Sequence, residues 1–154
     1  MTTETTTSRR RILVAGSVLL CSRVSVAQQA SVRDIVQPAA STGHAFMTRA
    51  AEMRRQAVDA GDQGYGAVVV RAGRIVGQSP SRVVIDRDPT AHAEMAAIRD
   101  AARRLGTGSL SGCVLYSTSR ACPMCEAAVY WAGIDGMVHG EGLTDAGRPR
   151  LCRG

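Results

Sequence analysis

From His44 onward the apolar positions fall at helical spacing. Phe46, Ala50, Met53, Ala57 and Ala60 recur every three or four residues with Arg and Glu between them, the pattern of a helix with one buried stripe. The period then changes. "GYGAVVVR" is a short β-branched run, Ala72-Gly73 interrupts it, and "RIVGQ" follows, so the two halves predict an antiparallel hairpin. "SPSRVVIDRDP" reads as a loop closing on Asp88-Pro89, a capping residue followed by the residue best tolerated at a first helical position. A second helix is predicted from about Thr90 to Leu105, stopped by Gly106. "CVLYST" is a third strand, Cys122 to about Trp131 a third helix, and "GMVHG" a short fourth strand. This alternation predicts a three-layer α/β domain, helices covering a small sheet.

Composition bounds the picture without changing it. A chain of 154 residues is long enough for one sizeable core. With 45% hydrophobic and 3% aromatic residues, that core is built mostly from Ala, Val, Leu, Ile and Met, and the chain is not of the disordered class. The net charge of +6 suggests a polyanion partner until it is located: all 19 basic residues are arginine, and Arg9, Arg10, Arg11 and Arg23 against Glu4 supply half of the excess within the first 27 residues. The later arginines are interspersed with acids. Nucleic-acid binding needs a concentrated basic face, which this distribution does not supply.

The charged start has another reading. "SRRRILVAGSVLL" is a polar lead, an arginine run and an apolar stretch too short to span a membrane, followed by "SVAQ" with small residues Ser25 and Ala27 at cleavage-site spacing. It resembles a twin-arginine export signal. The expected organisation is a signal at 1–27, a linker at 28–43 and a catalytic domain at 44–154, with the mature protein beginning near Gln28, periplasmic or exported and free of the membrane. If the signal is spurious, the protein is cytoplasmic.

Two short motifs carry the chemistry. Cys122 and Cys125 in "RACPMCEAAVYWAG" lie on one face of a first helical turn, where exposed N–H groups favour thiolate. Alone, such a pair is more often redox-active or incidental than half of a catalytic zinc site. "TAHAEM" places His92 and Glu94 at the start of the second helix. Residues two apart do not share a helix face, so both serve one site only if it lies over the helix end. Zinc takes thiolate and imidazole ligands, and catalytic zinc keeps a fourth position open. H-x-E followed by C-x-x-C, one helix and one strand later, is the combination used by zinc nucleobase deaminases.

On these residues the chain resembles the cytidine deaminase superfamily, in particular its guanine deaminase and tRNA adenosine deaminase branch. "DPTAHAEMAAIRDAARRLG" and "CPMCEAAVYWAGI" carry the resemblance, with "AFMTRAAEMRRQA" and "GYGAVVVRAGRIVG" in looser support. It covers roughly residues 44 to 145 and implies the superfamily's α-β-α fold with a small mixed sheet. It implies zinc held by His92, Cys122 and Cys125, and Glu94 as the proton shuttle. The implied reaction is hydrolytic: water activated at zinc attacks an amidine carbon, and Glu94 passes protons to the ring nitrogen and the departing ammonia. A free purine, pterin or nucleoside is the expected substrate, tRNA adenosine the alternative without export. A homodimer is expected from the same resemblance.

The departures matter too. Arg120 and Ala121 stand where relatives carry glutamate and proline before the first cysteine, and Ser81 replaces a substrate-holding loop asparagine, offering one donor where an amide offers two. Tyr65 lies in the segment matching "PFGA". Tyr65, Ser81 and Trp131, the last six residues after Cys125 and placed to stack on a base, are the candidate substrate contacts. Relatives continue well past "LTDA", and guanine deaminases place a base-reading acid there; "GRPRLCRG" is short and carries arginines instead. Two rivals stay open: an inactive zinc-binding pseudoenzyme, and a thiol oxidoreductase using Cys122 and Cys125. His44 and His139 are expected at the surface or in packing roles, Cys113 in the core, and Cys152 as a free thiol.

Overall fold

A computed structural model describes residues 34–150. The expected export signal, the first part of the linker and Cys152 lie outside the described residues. Helix α1 is Gly43–Asp59, strand β1 Gly66–Arg71, β2 Arg74–Pro80, helix α2 Ala93–Leu105, β3 Cys113–Ser117, helix α3 Pro123–Trp131, β4 Gly136–His139 and β5 Thr144–Gly147. The five strands form one mixed sheet in the order β2-β1-β3-β4-β5, in which only the β3–β4 pair is parallel. That pair is joined through α3, the connection a parallel pair requires.

Alternation along β1 divides the core into two layers. Ala67 and Val69 point to one face and pack with Ala93, Ala97, Ile98 and Ala101 of α2, Val129 of α3 and Leu115 of β3. Val68 and Val70 point to the other and meet Phe46, Met47 and Ala50 of α1. The expected three-layer α-β-α arrangement is the one observed. Helix α2 lies so close to β2 that a Cβ at Gly77 would sit 2.6 Å from the Ala101 Cβ. Only a residue without a side chain fits there.

The hairpin is as expected: Ala72 and Gly73 both adopt positive φ, as a tight two-residue turn with native twist demands. Its second strand runs further than the pattern suggested, through Pro80. Residues 34–42 form no helix or strand but are tied to this hairpin. The Gln37 amide both donates to the Ile75 carbonyl and accepts from the Ile75 N–H, Gln78 Nε2 donates to the Asp34 carbonyl, and the Ser41 hydroxyl donates to the Gly73 carbonyl. A side-chain amide thus does for β2's outer edge what a neighbouring strand would do. Strand β5 was not anticipated. Its residues TDAG are mostly exposed and carry no apolar alternation, so its extended form comes from pairing with β4.

Candidate metal centre and active site

The second helix begins at Ala93, later than the expected Thr90, and Asp88 is not its cap. Asp88 Oδ1 instead accepts from the N–H and hydroxyl of Thr90, closing a tight turn through Pro89. The cap is His92, which makes no side-chain capping bond. Its imidazole is turned toward the cysteines. Helix α3 starts in the same way, with Cys122 as N-cap and Pro123 following it. Cys125 then falls in the first turn, fully buried.

Three ligand atoms converge. His92 Nδ1 lies 3.7 Å from Cys122 Sγ and 3.6 Å from Cys125 Sγ, and the two sulfurs are 3.6 Å apart. With usual zinc–sulfur and zinc–nitrogen bond lengths, a tetrahedral ion separates two sulfurs by ~3.8 Å and a sulfur from a nitrogen by ~3.6 Å. The observed triangle fits that ion, with three protein ligands and a fourth position for water. Both helices direct their N-termini at the cluster, so sulfurs bound to zinc as thiolates would stand at the positive ends of two helix dipoles. Without the ion, burial foremost, then the Glu94 charge and the neighbouring Cys122, push the Cys125 thiol strongly upward, so it stays protonated. Zinc binding must displace that proton, coupling metal uptake to pH.

Glu94 is 4% exposed, with Oε2 3.8 Å from Cys125 Sγ. Burial drives its pKa above the ordinary carboxylate value. Its own backbone N–H, the charge of His92 and contacts with Cys125 and Ser117 pull downward without cancelling this. A carboxyl that takes up a proton readily and is withdrawn from water suits a proton carrier. Ser117, a residue the motifs did not flag, is buried beside it on β3, its hydroxyl donating to the Ser119 carbonyl.

The remaining candidates divide. Tyr65 is exposed just before β1, and Trp131 is 76% exposed at the end of α3, in an edge-on contact with Tyr130. Ser81 is fully buried, and its hydroxyl donates to Asp62 Oδ1 at 2.8 Å. That donor is already committed inside the protein, which corrects its reading as a substrate donor. Arg120 is exposed and lines a cleft with Glu126, Ala121, Met137 and His139, a cleft that none of His92, Glu94, Cys122 and Cys125 borders. Cys113 is buried in the core and His44 exposed, as expected, while His139 is half-buried with Nδ1 unpartnered.

An α-β-α domain that brings one histidine and two cysteines together at two helix starts, beside a buried glutamate, offers a zinc site of the deaminase type. Residues 40–141 match the cytidine and deoxycytidylate deaminase zinc-binding region, and the chain belongs to that family. It is 41% identical over 102 residues to a guanine deaminase of Bacillus subtilis, covering 66% of this chain and 65% of that protein. It is 39% identical over 93 residues to a tRNA-specific adenosine deaminase of Aquifex aeolicus, covering 60% of this chain and 62% of that one. The crystal structure of the Bacillus subtilis guanine deaminase superposes with a TM-score of 0.62 at 38% identity, covering 64% of each chain. The chain thus spans a little under two-thirds of these relatives' length.

Proposed function

We propose that this protein hydrolytically deaminates a purine-type base or nucleoside, with guanine the leading substrate. The observation that carries the reading is the buried Glu94 beside the His92, Cys122 and Cys125 triangle. Similarity to a guanine deaminase supports the choice of base. Bound zinc supplies Lewis acidity, lowering the pKa of a coordinated water toward about 7. The chain's own residues do the rest. His92 presents Nδ1 to the metal, leaving Nε2 to carry the ring proton. Glu94 takes the two protons of the water in turn, passing the first to the ring nitrogen and the second, released as the carbonyl forms, to the amino group, and the carbon–nitrogen bond breaks as ammonia leaves. Oxygen from water replaces nitrogen, with no oxidant or reductant involved.

The thiol-oxidoreductase reading leaves His92 and the buried Glu94, gathered at the same two sulfurs, without a role. The twin-arginine pattern supports action outside the cytoplasm, and the exposed Tyr130 and Trp131 on α3 support a dimer through that helix. Similarity to tRNA-specific adenosine deaminases supports a second reading, adenosine within tRNA. The test is ammonia release by the zinc-loaded chain from guanine, adenine, cytosine, their nucleosides, a pterin and tRNA, with Glu94→Ala as control. Release from guanine, abolished by the substitution, is the expected result. Release from tRNA alone establishes the second reading. None from a folded, zinc-bearing protein establishes the pseudoenzyme.

A further inference from the structure

The loop between β2 and α2 is more tightly held than its exposure suggests. Its neck closes where the Arg82 N–H donates to the Ala91 carbonyl at 3.0 Å, one residue before the metal ligand His92. Above the neck, Val84 and Ile85 are 56% and 47% exposed. Exposed β-branched residues on a surface loop cost little when the loop is free to move. Here their backbone is fixed by a residue distant in sequence. Asp62, 9% exposed just before β1, accepts at Oδ2 from the N–H groups of Val84 at 2.9 Å and Ile85 at 3.0 Å. Its Oδ1 accepts from the Ser81 hydroxyl at 2.8 Å and the Gln63 N–H at 2.7 Å. The Ser81 N–H in turn donates to the Tyr65 carbonyl, so both ends of the tie meet at the lead into β1.

Four donors on one carboxylate are more than capping a turn requires. They fix both the neck of the loop and its apolar tip relative to β1. Burial would raise the carboxyl's pKa, but the Ile85 N–H, Ser81 hydroxyl, Gln63 N–H and Val84 N–H outweigh it, and the pKa lies below the ordinary 3.8. The ties therefore persist at neutral pH and weaken only as pH falls through that depressed value. A rigid apolar pair joined by a short tether to a metal ligand is a surface prepared for a ligand. We propose that Asp62 is a positioning residue of this site: by holding Ser81, Val84 and Ile85 it fixes the 82–91 loop as the rim against which the substrate base is seated. The inference rests on the deaminase reading for its substrate and on the hydrogen bonds alone for its mechanism.

Asp62→Asn tests it, because the amide keeps the shape while its NH₂ faces donors. Two readouts are taken on the zinc-loaded full chain. Without substrate, amide hydrogen exchange at Val84 and Ile85 is expected to quicken at least ~10-fold, with one zinc per chain retained, since a lost tie opens the loop locally. With guanine, KM is expected to rise ~10-fold or more while kcat stays within ~3-fold, the mark of lost seating without lost chemistry. Ser81→Ala, which removes one tie of the four, is expected to give a smaller change in both and serves if Asp62→Asn fails to fold. Unchanged exchange in a folded variant overturns the tie. Faster exchange with unchanged KM overturns the rim. If the wild type releases no ammonia from any base, the deaminase reading falls, and the exchange readout still decides whether Asp62 holds the loop.

Discussion

Helices α2 and α3 deliver their ligands in the same way and present opposite outer faces. Each places a metal ligand at its N-cap and a second functional group within its first turn. Helix α2 is finished for water beyond that. Asp100 pairs with Arg103 at 3.6 Å and with Arg104 at 2.8 Å, and Gly106 closes the helix in the left-handed conformation. In α3, Glu126 is the one charged residue in nine, Cys125 and Val129 alone are fully buried, and Tyr130 and Trp131 stand in solvent. The difference shows that the metal centre constrains only a helix's first turn. The remainder answers to what the helix packs against.

The comparison breaks most completely at the shared centre. Cys125→Ser is expected to lose zinc, read by metal analysis after mild chelation, and to lower ammonia release below ~10⁻³ of wild type, since the metal's contribution is worth several kcal/mol. Retained zinc at full stoichiometry would show that Cys125 is not a ligand. Glu94→Gln separates holding the metal from using it: zinc remains, and turnover falls ~10²- to 10⁴-fold, as for loss of a general acid–base group. A drop in zinc content of the same size would make Glu94 a structural neighbour instead.

Smaller effects lie away from the centre. Gly77→Ala pushes a methyl group against Ala101 and the Ala97 carbonyl, and is expected to cost about 1–3 kcal/mol in urea denaturation through overpacking. A neutral result would mean that α2 is not seated on β2 as described. Trp131→Ser is expected to change the stability of the monomer by no more than ~0.5 kcal/mol, because the side chain already stands in water. If the proposed dimer forms through α3, the substitution is expected to shift sedimentation toward the monomer. A destabilisation of ~2 kcal/mol with unchanged sedimentation would place Trp131 in packing of the single chain.

Helices α1 and α3, the hairpin and the two chemical motifs were legible because each is written locally, in a repeat of three or four residues, a turn dipeptide or a fixed spacing. Where reading failed, a nonlocal partner decided. Asp88-Pro89 has the chemistry of a helix start, but His92 takes the cap because its imidazole must reach sulfurs 30 and 33 residues away. Strand β5 has no strand-like sequence and exists by pairing with β4. Ser81 looked like a donor for substrate until Asp62 was found to hold it. Asp62 itself, one acid among 13 with no motif around it, carried no signal at all.

The sequence by itself determined the layer order, the ligand types and their attachment to helix starts, because periodicity and ligand chemistry are properties of neighbouring residues. Only the tertiary structure decided that two helix mouths meet within bonding range of one ion, that Glu94 is withdrawn from water, and that one buried carboxylate ties down the loop. These depend on distances between segments far apart in the chain, which packing sets and local spacing does not record.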